Sequence, residues 1–170
     1  MSGPPAAAPG AFDDREPVAH LSPRVMVLWR LTAAAFALVL LALAALVGAV
    51  ATDLPDAARI ALPLLVAVVG VVAVVALPAA AYRRWRYQLT EDGIELRHGL
   101  LVHQESSIPH FRVQHVDIRQ GLLQRALGIV SLTISTASSA TDASLPGVTP
   151  EVAEAIRHRV LDRAEADDGV

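Results

Sequence analysis

Two uninterrupted apolar runs dominate the first half of the chain, at residues 31–52 and 60–82. Neither run contains a charged side chain. About 20 apolar residues, rising roughly 1.5 Å each, are enough to cross the hydrocarbon core of a bilayer. A short polar turn with Pro55 separates the two runs. The pattern therefore predicts a membrane-spanning hairpin of two antiparallel helices within residues 24–84.

Arginines are distributed unevenly around this hairpin. The turn between the runs contains only Arg59, whereas five arginines lie at the two outer ends. These five are Arg24, Arg30, Arg83, Arg84 and Arg86. Because arginine-rich flanks stay in the cytoplasm, the sequence predicts that both termini are cytoplasmic. Arg83, Arg84, Trp85 and Arg86 are expected at the membrane interface. A cleaved signal peptide is the alternative for the first run, which is longer than a typical signal-peptide core.

After residue 84 the apolar blocks give way to short alternating runs, which are typical of β-strands. The predicted strands cover residues 85–90, 94–98, 100–106, 111–120, 129–136 and 143–148. Residues 121–127 break the alternation and are predicted to form a short helical or turn segment ending at Gly128. In the fourth run, Arg112, Gln114, Val116 and Ile118 are expected on one face, and Val113, His115, Asp117 and Arg119 on the other.

An amphipathic helix is predicted from Thr149 onward. Thr149 is a suitable N-cap and Pro150 suits the first helical position. Val152, Ile156 and Val160 are expected to form its apolar stripe. Residues 85–164 thus predict six or seven antiparallel strands and one C-terminal helix, arranged as a small barrel or sandwich. Residues 1–23 and 165–170 show no periodicity and are predicted to be disordered tails.

Composition narrows the classes of function. The chain has no cysteine, which excludes thiolate zinc sites, iron–sulfur clusters and cysteine nucleophiles. Its net charge of −3 argues against nucleic-acid binding. The six histidines lack metal-ligand spacing, and no nucleophile elbow, P-loop or dinucleotide fingerprint occurs. The sequence therefore predicts no enzyme, no metal site and no cofactor.

Several short motifs after the hairpin occur in a characteristic order. They are Tyr87-Gln88-Leu89-Thr90 with Gly93-Ile94, Ile108-Pro109, Arg112-Val113-Gln114-His115-Val116, and Gly121-Leu122-Leu123-Gln124-Arg125. In this order the chain resembles the bacterial PH-domain membrane proteins of the YdbS-like family over about residues 20–164. The resemblance implies an α+β membrane protein of the bacterial inner membrane, with two transmembrane helices before one PH-like domain. It implies no established reaction.

The expected function is a membrane-anchored, non-enzymatic interaction or scaffold module with a cytoplasmic PH-like domain. Arg112, Gln114, His115 and Arg119 are candidate contacts for a partner, because a polar strand binds peptides through side chains and backbone. In the alternative interpretation, Arg112 and Gln114 only hold the loop before Gly121. Expected partners are the lipid bilayer and a membrane or cytoplasmic protein, with self-association as another outcome. The rival function is a lipid- or small-molecule-handling domain at the inner membrane.

Overall fold

The computed structural model describes residues 18–51, 53, 55–100, 102–136 and 142–168, with side chains to residue 163. The chain divides into two compact units. One is Met26–Arg83, and the other combines Met1–Val25 with Arg84–Val170. The described part of this second unit is called the β domain below.

The first unit consists of two long helices, α1 (Arg24–Val50) and α2 (Asp56–Arg84). The first two residues of α1 and the last residue of α2 belong to the β domain. Few of the helices' apolar side chains are buried, so these are not core helices of a soluble fold. Two glycines mark close approaches between the helices. A Cβ added at Gly70 would lie 3.1 Å from Ala37 Cβ, and one added at Gly48 would lie 2.9 Å from the Arg59 carbonyl oxygen. Since the last turn of α1 faces the first turn of α2, and the middle of each helix faces the middle of the other, the helices run antiparallel.

The β domain contains two three-stranded antiparallel sheets, ordered β1-β2-β3 and β4-β5-β6. The strands are β1 (Arg86–Leu89), β2 (Gly93–His98), β3 (Gln104–Pro109), β4 (Val113–Arg119), β5 (Val130–Thr136) and β6 (Ala143–Val148). A 3-10 helix (His110–Arg112) joins the two sheets, α3 (Leu122–Leu127) joins β4 to β5, and α4 (Pro150–Asp168) follows β6. The predicted α+β class is confirmed in its sandwich-like form. The two described sheets do not close into a barrel, because β3 and β6 are edge strands.

The core lies between the inner faces of the two sheets. Ile94 and Leu96 of β2 are buried there, and so are Leu132 and Ile134 of β5 and Leu145 of β6. The alternation predicted for β5 is therefore confirmed. Along the chain, Gly128 ends α3 with a φ of +62°, as the predicted stop signal requires.

The apolar stripe of α4 differs from the prediction at one position. Ala153, Ile156 and Val160 are buried, whereas Val152 is 39% exposed. Residues 152 and 160 are eight positions apart, which rotates them by about 80° around a helix of 3.6 residues per turn. Ala153 completes the narrower stripe at spacings of three and four. The N-cap is confirmed, since Thr149 Oγ1 accepts a hydrogen bond from the Val152 N–H at 3.5 Å.

Parts of both segments that the sequence predicts as tails belong to the described structure. Ala19 pairs with Tyr87 of β1 through two backbone hydrogen bonds of 2.8 and 3.1 Å. Leu21 is buried, and the Ser22 N–H donates to the Gly147 carbonyl at 2.9 Å. Residues 18–23 therefore belong to the β domain, and the rest of the predicted N-terminal tail lies outside the described residues. At the other end α4 continues to Asp168, four residues past the predicted boundary.

Candidate functional site

The four candidate contacts around β4 do not converge on one surface. Arg112 belongs to the 3-10 helix rather than to a strand, and its guanidinium lies 5.7 Å from the centre of the Phe111 ring. A register shift between Val113 and His115 makes Gln114 an extra, bulged residue. Because of the bulge, the residues before Gln114 lie on the face opposite to the predicted one. Val113 therefore shares a face with Val116 and not with His115.

Beyond the bulge the outer face of β4 carries a short run of charges. His115 Nε2 lies 3.1 Å from Asp117 Oδ1, and Arg119 Nη2 lies 3.6 Å from Asp117 Oδ2. His115 and Arg119 are therefore brought together through Asp117. Exposed pairs of this kind contribute on the order of 0–1 kcal/mol. The arrangement is typical of a solvated sheet face and supplies no reactive group.

The predicted membrane-interface residues have several different roles. The Arg84 guanidinium donates a hydrogen bond to the Leu100 carbonyl at 2.6 Å, and that of Arg86 donates to the Trp85 carbonyl at 2.9 Å. Arg83 is exposed. Trp85 is only 8% exposed and stacks on His98, with ring centroids 4.8 Å apart. Its indole thus packs inside the β domain, and its position at the membrane interface stays a prediction.

An open cleft of about 710 Å³ lies between the two sheets. We call it the edge cleft. Its apolar floor is formed by the Trp85–His98 stack together with Leu96, Ala143 and Pro146. Polar side chains form its rim, namely His103, Gln104, Glu105, Ser106, Asp142 and Ser144. The volume lies within the range of roughly 300–1,000 Å³ that is usual for ligand sites.

The cleft reaches the edges of two strands as well as the inner face of the first sheet, to which Leu96 and His98 of β2 contribute at alternate positions. Successive residues of a strand point to opposite sides of its sheet, so a cleft against one face contacts every second residue. Here residues 104–106 of β3 and residues 143 and 144 of β6 all line the cleft, although they are consecutive. β3 pairs only with β2, and β6 only with β5, among the described strands. The backbone groups on these two edges are the main binding feature of the cleft.

The edge cleft has a weakly acidic character. Glu105 pairs with Arg97 at 3.3 Å, and Asp142 Oδ1 accepts a hydrogen bond from the Thr136 N–H at 2.9 Å. Burial lowers the pKa of His98, which favours its neutral form. No arginine is among the described lining residues. Because Arg97 compensates Glu105, the lining has only a weak negative charge, which suits a neutral or basic ligand better than an anion.

The β1–β2 turn contains Glu91 and Asp92, and its backbone is occupied by contacts within the β domain. The His110 N–H donates to the Asp92 carbonyl at 3.0 Å, and the Arg163 guanidinium donates to the Glu91 carbonyl at 3.1 Å. His110 is 3% exposed and so belongs to the interior of the β domain. Within the described part of the chain, no three metal-ligating side chains form a group.

Comparisons with known proteins agree with this architecture. The model of a family described as "Bacterial PH domain" matches residues 25–164, which is most of the chain. The chain belongs to this bacterial PH domain family. It is also similar to the UPF0699 transmembrane protein YdbS of Bacillus subtilis (strain 168), with 34% identity over 92 residues. That match covers 54% of this chain and 57% of YdbS, so the chain spans little more than half of that relative. No solved structure matches.

The family and the two apolar helices together show that this is a PH-domain membrane protein. The resemblance inferred from the ordered motifs is therefore confirmed. The family is uncharacterised and indicates no enzymatic class. The edge cleft was not predicted from the sequence, because its residues come from four separate segments. The one available signal was the polar residues Gln104 and Ser106 at positions that alternate with the buried Ile108.

Proposed function

We propose that this protein is a membrane-anchored, non-enzymatic interaction module that binds an extended segment of a protein partner in the edge cleft. The hairpin holds the domain at the bacterial inner membrane, with both termini in the cytoplasm. The partner is a membrane or cytoplasmic protein. The observation that carries this proposal is the exposure of two strand edges, β3 and β6, along a single cleft.

Strand edges favour a peptide as the ligand. An edge strand offers unpaired N–H and C=O groups, and an added strand satisfies them at a spacing of about 4.8 Å. Domains that bind peptides by strand addition obtain affinity from these backbone bonds and specificity from neighbouring side-chain pockets. Here the Trp85–His98 stack and Ala143 supply an apolar floor for alternate side chains. The rim carboxylates Glu105 and Asp142 favour a segment with a basic residue.

The lipid- or small-molecule-handling alternative has weaker support. The described rim of the cleft contains no cation for an anionic headgroup, and its polar side chains are unsuited to acyl chains. The wider β domain is not strongly basic either. Lipid bound in the edge cleft would nevertheless support this alternative, so the cross-linking experiment below also detects lipid adducts.

Site-specific photocross-linking in native membranes tests the proposal. A benzophenone amino acid at Gln104 or at Ser144 is expected to capture a defined protein through a short extended segment. The same amino acid at Ser107 is the matched control, because Ser107 is exposed on β3 but does not line the cleft. It is expected to give no such adduct.

A blocking variant makes the test sharper. Ser106→Trp places a large side chain in the cleft, whereas Ser107→Trp places it outside. Cross-linking from Ser144 should fall at least tenfold with Ser106→Trp and stay unchanged with Ser107→Trp. Lipid adducts from both cleft positions, or equal protein adducts from Ser107, would contradict the proposed function.

A further inference from the structure

Two short apolar segments are exposed on the β domain away from the edge cleft. At the start of α3, Leu122 is 86% exposed and Leu123 is 48% exposed. In the loop between β2 and β3, Val102 is 70% exposed and Leu100 is half-buried. Adjacent, highly exposed leucines and valines are unusual on a surface that faces only water, and clusters of them mark interaction sites.

The first segment is tied to the start of the first membrane helix. The Arg24 guanidinium donates a hydrogen bond to the carbonyl of Leu127, the last residue of α3, at 3.3 Å. Arg24 is also the first residue of α1. The uninterrupted apolar run begins at Leu31, seven residues later and so roughly 10 Å along the helix. α3 itself is only about 9 Å long, which keeps Leu122 and Leu123 close to the membrane boundary.

The second segment is tied to the end of the second membrane helix. The Arg84 guanidinium donates to the Leu100 carbonyl at 2.6 Å. Arg84 is the last residue of α2 and lies two positions after the end of the apolar run at Tyr82. Each apolar segment is thus attached, by an arginine, to one of the two points where the β domain joins the hairpin.

Strand order separates both segments from the 3-10 helix. β3 runs from the Val102 loop to the 3-10 helix, and β4 runs from the 3-10 helix to α3. Each strand is roughly 20 Å long at about 3.4 Å per residue. Both apolar segments therefore lie one strand length away from the 3-10 helix, where Phe111 is 60% exposed.

We infer that these two segments form a membrane-docking surface, which inserts Leu122, Leu123 and Val102 into the headgroup–acyl boundary of the bilayer. The ligand is the lipid surface itself. Because the chain leads from the partners of both segments into the two membrane helices, the hydrocarbon of the bilayer is available to these apolar side chains. The exposed Arg125 of α3 favours anionic headgroups. This surface lies outside the lining of the edge cleft, so it neither requires nor excludes the proposed function.

Spin-label accessibility in proteoliposomes of the full chain tests the inference. Because the chain has no cysteine, single substitutions Leu122→Cys, Val102→Cys and Phe111→Cys each create one labelling site. Phe111→Cys is the matched control, as it replaces an exposed apolar residue at the opposite end of β4. All three positions are exposed, so labelling should leave the fold intact. The collision rates of each nitroxide with oxygen and with a water-soluble nickel chelate are then measured.

Labels at residues 122 and 102 are expected to collide with oxygen several-fold more, relative to nickel, than the label at residue 111. Equal ratios at all three positions would overturn the inference. Low accessibility to both reagents, together with dipolar broadening between labels, would assign the surface to a second copy of the chain and would equally overturn it. None of these outcomes depends on a protein partner in the edge cleft.

Discussion

Gly147 connects the N-terminal segment to the second sheet, and replacing it by alanine gives the sharpest stability prediction. Its φ is +92°, a backbone conformation that disfavours any side chain. An added Cβ would lie 2.5 Å from Cγ2 and 2.6 Å from Cβ of Val25, which is fully buried. The Gly147 carbonyl also accepts the hydrogen bond from Ser22. A methyl group here must therefore displace the segment that joins β1 to β6.

The magnitude follows from two contributions. Forcing an L-residue into left-handed backbone costs about 1–2 kcal/mol. Overpacking a filled site costs a further 1–3 kcal/mol or so. Gly147→Ala should therefore lower the free energy of unfolding of the β domain by roughly 2–5 kcal/mol, out of about 5–15 kcal/mol for a typical domain.

Gly128→Ala is the matched control. Gly128 also has positive φ, at +62°, but its added Cβ would meet only the end of the flexible Arg24 side chain, at 3.0 Å. The expected cost is about 1–2 kcal/mol, from the backbone alone, without the overpacking contribution. Urea unfolding of the full chain in detergent, followed by Trp85 fluorescence in a Trp29→Phe background, measures both variants. Losses that agree within about 0.5 kcal/mol would refute the argument from the Val25 contact.

Three further predictions concern the helices and the cleft. Ile156→Asp should bury an unpaired charge and lower the thermal midpoint of the β domain by many degrees. Val152→Asp, on the exposed side of α4, should change the midpoint little. Equal thermal midpoints for the two variants would show that α4 does not pack as described. Gly70→Leu should separate α1 from α2 and increase protease access to the hairpin turn in micelles, while Val69→Leu, at an exposed position, should not. His98 should titrate by NMR below its ordinary pKa of 6.5, because burial disfavours the imidazolium. Because the unfolded state binds the proton more readily, His98 should make the domain less stable as pH falls through about 6.5. An NMR titration midpoint of His98 above pH 6.5 would contradict its burial.

Local patterns were sufficient to predict the elements of this protein. The charge-free runs predicted both membrane helices, and alternation predicted β5 because Leu132 and Ile134 face one core. Gly128 and Thr149 marked helix ends by their own backbone and side-chain chemistry. Each of these signals lies within a few residues of the feature that it specifies.

Features that depend on distant residues were missed. The bulge at Gln114 is set by how β4 pairs with β5, and nothing in the local pattern marks it. Residues 18–23 look like a polar tail, yet Ala19 and Ser22 form backbone hydrogen bonds with residues more than 60 positions away. The edge cleft likewise exists only because β3 and β6 both remain edge strands, a property of the assembled sheets. Tertiary pairing, and not local propensity, decides all three.

The central claim, that the edge cleft receives an extended protein segment, is tested most directly by amide hydrogen exchange. The measurement compares the full chain in nanodiscs with and without a synthetic peptide covering the segment identified by cross-linking. Backbone amides on the edges of β3 and β6 are expected to exchange rapidly in the free protein and to become strongly protected by the peptide, whereas β4 should not change. Binding that leaves the amides of β3 and β6 unprotected, or that protects β4 instead, would contradict the account.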